Sequence, residues 1–73
     1  MSVPGDYLCG LRLGRCEDRA AVAAATGISE QRQRLIEEHQ AVPSYRERRC
    51  YARFFGFACV DELDRTGVAK PSR

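Results

Sequence analysis

The chain lacks the residue groupings that most catalytic chemistry needs. It has no tryptophan and a single histidine, His39. No acidic pair has metal-ligand spacing, and no glycine-rich loop is built to cradle phosphate. These gaps leave no catalytic constellation, so neither an enzyme nor a cofactor is expected. Four cysteines are present, Cys9, Cys16, Cys50 and Cys59, but none forms a CxxC pair, and His39 is far from all of them in sequence. Metal binding is therefore not expected, and the thiols read as small apolar side chains. Two disulfides would suit a secreted chain. However, Met1 to Asp6 shows no basic region followed by an apolar one, so reduced thiols in a cytoplasmic setting are expected. No run approaches the roughly 20 apolar residues of a membrane span. Period-two alternation is absent as well, which excludes a half-buried sheet.

With 73 residues the chain makes one small domain, which buries only about 60% of its unfolded surface. The net charge is +2, and eleven of the twelve basic residues are arginine. Such a charge is too small to establish nucleic-acid binding by itself. Arginine suits bidentate contacts with phosphate and guanine, although a GC-rich coding bias accounts for the same excess.

The most structured stretch runs from Ala20 to Glu37. Alanines and Val22 favour a helix of small cross-section. Gly27 can take the left-handed conformation that ends a helix. Ser29 can cap the next helix, which carries Gln31, Arg32, Gln33 and Arg34. A helix, a tight turn and a polar second helix match the layout of a helix-turn-helix.

Five short helices are expected in an all-α domain. The first spans about Asp6 to Arg15, capped by Asp6, with Leu8 and Leu11 on one face. The second spans Arg19 to Thr26 after Asp18, and the third spans Glu30 to Glu38. Pro43 separates the third from the fourth. Ser44 and Glu47 form a capping-box pattern for the fourth, Tyr45 to Phe55, which Gly56 ends. A short fifth helix covers Asp61 to Arg65. Residues 1–5 read as a loose lead-in, 6–65 as the helix-turn-helix domain, and 66–73 as a flexible tail.

Five motifs in order resemble the lambda-repressor-like family of Cro and XRE-type regulators. They are Leu8-x-x-Leu11-Arg12, Val22-Ala23-x-x-Thr26-Gly27-Ile28-Ser29, Ile36-Glu37, Pro43-Ser44 with the spacing to Gly56, and Asp61-Glu62-Leu63. The resemblance covers about Asp6 to Arg65. Gln33 and Arg48 depart from it, since the family usually has apolar residues there.

The resemblance implies a five-helix DNA-binding domain whose third helix enters the major groove of double-stranded DNA. Glu30 and Gln31 match the positions that face base edges. Gln31 could pair with adenine, Glu30 could accept from cytosine N4, and Leu35 could touch a thymine methyl. Arg32 would lie nearer the backbone, and Arg34 completes the polar face. Arg19, Ser44 and Arg46 are expected at phosphates near helix starts. Arg12 and Glu37 match a structural salt bridge between helices 1 and 3. An ordinary solvated face, with Glu30 and Arg34 paired at i, i+4, accounts for the same third-helix residues. Arg46, Arg48, Arg49 and Arg53, with Tyr45 and Tyr51, form a basic cluster suited to phosphate or a partner. Phe54, Phe55 and Phe57 are expected in the core and at dimer contacts.

The expected function is sequence-specific transcription regulation by a homodimer, a small repressor or Cro-like protein with half-sites about 34 Å apart. The alternative is a protein-interaction module on the same fold, such as an antitoxin, an antirepressor, or a factor binding another regulator or RNA polymerase.

Overall fold

The helices begin and end where local chemistry stops them. A computed structural model describes residues 3–69, with side chains described through residue 67. It contains α1 (Gly5–Gly14), α2 (Arg19–Thr26), α3 (Glu30–Glu37), α4 (Tyr45–Phe55) and α5 (Val60–Ala69). No strand occurs among the described residues, nor is any helix there long and apolar enough to cross a membrane.

Asp18 Oδ1 accepts from Ala21 N at 2.8 Å and starts α2. Gly27 ends it in the left-handed region, with φ of 81°. The Gly27 N–H donates to Ala23 O at 2.8 Å, which satisfies one of the last helical carbonyls. Ser29 Oγ accepts from Arg32 N at 3.1 Å and caps α3. At α4 the capping box is complete: Ser44 Oγ accepts from Glu47 N, and Glu47 Oε1 accepts from Ser44 N. These bonds satisfy backbone donors that the first turn of a helix cannot pair internally.

Three sequence-based expectations change at the chain ends. Asp6 does not cap α1. That helix opens one residue earlier, after Pro4, whose carbonyl accepts from Tyr7 N and Leu8 N. The segment read as a lead-in is part of the core, because Val3 is buried and Gly5 packs against the Ile36 carbonyl of α3. At the other end, α5 continues through residues 66–69, which had been assigned to a tail. The reason is tertiary: Gly67 is buried with Val3, Pro4 and Tyr7 around it, and Val3 N donates to Asp64 Oδ1 at 3.2 Å. The rest of the assigned tail, residues 70–73, lies outside the described residues.

The core joins Val3 and Leu8 to Val22, Ile28, Ile36, Tyr51, Ala52, Phe55 and Leu63. The α4 helix lies between α2 and α5, while α3 packs on α1 and α2. Tyr51 and Phe55 stack one turn apart on α4, and Phe54 meets Phe55 edge-on. Phe55 is buried, but Phe54 and Phe57 are only half-buried. Burial pushes the Tyr51 phenol above its usual range; its hydroxyl has no hydrogen-bond partner among the described residues.

Candidate nucleic-acid interface

The α3 helix divides its polar residues between two jobs. Gln33, Ile36 and Glu37 point inward and are buried. On the helical wheel the opposite side belongs to Gln31, Arg34, Leu35 and Glu38, with Glu30 on the same flank as Glu37. Glu30, Gln31, Arg34 and Glu38 are exposed and Leu35 is half-buried. Among the described residues, Gln31 and Arg34 hold no intramolecular side-chain bond.

Gln33 stands where an apolar side chain was expected, and the structure shows how the domain accommodates it. Its Nε2 donates to Ile28 O at 2.8 Å and to Arg19 O at 3.0 Å. One side chain therefore ties α3 to the turn and to the first residue of α2. The amide orientation follows from its partners, since two carbonyls can face only the NH2 end. Its Oε1 is buried without a hydrogen bond to any described residue. Inward placement of Gln33 keeps the helical register that turns Gln31 and Arg34 to solvent.

Glu37 anchors the inner side. Arg12 grips it in a bidentate pair, Nε to Oε2 at 2.9 Å and Nη2 to Oε1 at 3.0 Å. Arg19 adds Nη2 to Oε1 at 3.0 Å and Nε to Oε1 at 3.2 Å. The carboxylate thus links α1, α2 and α3. Arg19 was expected at a phosphate, but its guanidinium is committed to Glu37 because the start of α2 lies beside the end of α3.

Arg32 is also committed. Its Nε meets Glu47 Oε2 at 2.7 Å and its Nη2 meets Glu47 Oε1 at 2.9 Å, with a further bond to Val42 O at 3.2 Å. It braces α3 against the cap of α4 instead of reaching outward. Sequence inspection missed this pair because fifteen residues separate its members; Glu47 announced itself only as a capping residue.

Ser44 and Arg46, the other expected phosphate ligands, are both exposed. The Ser44 hydroxyl is engaged as the α4 cap, whereas Arg46 has no ionic partner among the described residues. Ser29, Arg32, Arg46 and Glu47 border a groove of about 520 Å³ between the α2–α3 turn and the start of α4. The starts of α3 and α4 therefore face the same region.

The expected cluster on α4 splits. Arg48 turns inward to Asp64 Oδ2 at 3.2 Å and Pro43 O at 3.2 Å, so its charge is paired where the resemblance implied an apolar residue. Tyr51 is buried. Arg46, Arg49 and Arg53 remain exposed along the outer face.

The two glutamates make stability depend on pH. Burial pushes the Glu37 carboxyl up, but hydrogen bonds from Arg12 and Arg19, helped by their charges, outweigh it and hold the group below the usual value of 4.5. At Glu47 the Arg32 hydrogen bond dominates and lowers the group below the same value. A carboxyl depressed in the folded state contributes stability above its unfolded pKa and loses it as pH falls through the folded one. Urea midpoints should therefore hold steady at neutral pH and fall below about pH 4.5. Glu47→Gln should flatten part of that fall; an unchanged acid limb in this variant would refute the assignment.

Comparison with protein-family models, with curated proteins and with solved structures finds no match.

Proposed function

We propose that the chain is a sequence-specific DNA-binding transcription regulator of lambda-repressor-like type, a small repressor or Cro-like protein acting in the cytoplasm. It reads double-stranded DNA through the outward face of α3 and binds as a homodimer at a two-fold-symmetric operator. The observation that carries this is the sorting of side chains on α3. Arg32, Gln33 and Glu37 are all consumed in holding the helix, while Gln31, Arg34 and the edge of Leu35 are left outward on a helix entered through a three-residue turn. Gln31 can pair bidentately with adenine, Leu35 can meet a thymine methyl, and Arg34 can bond guanine or phosphate. Arg46, beside the two helix starts, supplies a free cation for the backbone.

The test is selection of bound sequences from randomised duplexes, followed by titration of the selected site at moderate salt. Gln31→Ala should weaken the selected site by roughly tenfold, about 1–3 kcal/mol, and relax preference at one base pair. Arg46→Ala should weaken all sequences alike and reduce the salt slope by about one. Equal, weak binding to every duplex would refute the proposal.

A further inference from the structure

The outer face of α4 also carries exposed positive charge. Arg49 and Arg53 sit one turn apart on the outer side of that helix, and both are exposed. Among the described residues no carboxylate pairs with either. Between them and the α4–α5 connection runs a groove of about 340 Å³.

The floor of this groove is apolar. Ala52 and Val60 are buried and Phe57 is half-buried. The floor is also fixed, since the Phe57 N–H donates to Ala52 O at 2.8 Å. One wall is the Tyr45 ring, which is 62% exposed, a high value for an aromatic side chain. Arg48 lies 5.8 Å from the centre of that ring and is itself anchored by Asp64 at 3.2 Å, so the wall is preset. Nearby Glu62 keeps its negative charge and accepts from Ala58 N, but among the described residues it forms no ion pair with either arginine.

A recessed apolar floor, a held aromatic wall and two free guanidinium groups select for a ligand with two properties. It must carry negative charge, and it must place an apolar group between the charges. A duplex phosphate backbone meets only the first requirement; a single strand, whose bases could stack on Tyr45, is distinguished by titration with single-stranded DNA. An acidic protein segment with an exposed Phe or Leu meets both, as in amphipathic segments that dock into grooves. We infer that the α4 groove bounded by Tyr45, Arg49, Arg53 and Phe57 is a docking site for an acidic, apolar-anchored segment of a partner protein. The groove uses none of the outward residues of α3, although Arg46 shares the outer face of α4 with Arg49 and Arg53.

The test uses the full chain and three fluorescein-labelled peptides, read by anisotropy. The first intersperses Phe and Leu with Asp and Glu, the second replaces its Phe and Leu with Ser, and the third replaces its Asp and Glu with Asn and Gln. Only the first should bind well. Arg49→Glu with Arg53→Glu should weaken it by roughly tenfold or more, because a like charge then faces the ligand. Among the described residues neither arginine holds a hydrogen bond or ion pair, so the helical circular dichroism should be unchanged. Tyr45→Ala should weaken the same peptide, and amide shifts on binding should cluster at Tyr45, Ala52 and residues 57–60.

Several results would overturn the inference. A flat titration with the first peptide would do so, as would equal binding of the serine peptide. If the double reversal weakens duplex or single-stranded DNA as much as the peptide, the face is a phosphate track. If it changes the sedimentation coefficient of the protein, the groove seats a second copy of the chain.

Discussion

Replacement of Glu37 by Gln is expected to lower the free energy of unfolding by about 3–5 kcal/mol. The carboxylate is 3% exposed and is held by two guanidinium groups. Its Oε1 alone accepts from Arg12 Nη2, Arg19 Nε and Arg19 Nη2. An amide of the same shape must turn its NH2 group towards at least one arginine donor and leaves the Arg12 guanidinium, 11% exposed, without a counter-charge. The loss is large against the whole stability of so small a domain, which is on the order of 5 kcal/mol or somewhat more. Urea denaturation followed by far-ultraviolet circular dichroism measures it.

Two companion variants separate the cause. Arg19→Ala should cost less, about 1 kcal/mol, because its side chain is 32% exposed and a partly solvated pair is worth little. The double replacement Arg12→Met with Glu37→Leu should recover most of the lost stability, since the one charge then left without its partner, on Arg19, is 32% exposed and can turn to solvent. A Glu37→Gln protein within about 1 kcal/mol of the parent would show that the triad does not hold the helices together.

Gly5→Ala is expected to destabilise the domain by about 3 kcal/mol or more, at the upper end of overpacking costs. A Cβ at Gly5 would collide with the Ile36 carbonyl oxygen and lie 2.9 Å from its carbon and 3.2 Å from Glu37 Cα. All three atoms are backbone, so no rotamer change relieves the clash. The α1 helix would have to move off α3, disturbing Leu8 and the Arg12–Glu37 pair together. Gly10→Ala in the same helix provides the contrast. Nothing lies within 4 Å of its added Cβ, so helix propensity should raise stability by about 0.5–1 kcal/mol. Opposite signs for two Gly→Ala changes five residues apart would establish the close approach. Equal effects would remove it.

The two variants also mark the limit of what could be read from the chain. Gly5, beside Pro4, has the composition of a breaker, and no local signal tells a breaker from a glycine pressed against another helix. The same holds for Gly67, which looks like part of a tail but is buried against Val3 and Tyr7. Gln33 could be identified from sequence as out of place, yet not as a clamp: its partners, Arg19 and Ile28, are backbone carbonyls that the fold brings within 3.0 and 2.8 Å.

By itself the sequence determined the all-helical class, the limits of α2 and α4, and the start of α3. Those features depend on Asp18, Gly27, Ser29, Ser44 with Glu47, and Gly56, whose effects act within about one helical turn. Tertiary structure alone decided which polar residues remain available. Arg19, Arg32, Gln33 and Arg48 have the same polar character as Gln31, Arg34, Arg46 and Arg49. The first four are consumed by partners 5 to 18 residues away, and the second four are left to solvent. A side chain's chemistry sets which bonds it can make, but only the packing of distant segments sets whether a partner is already there.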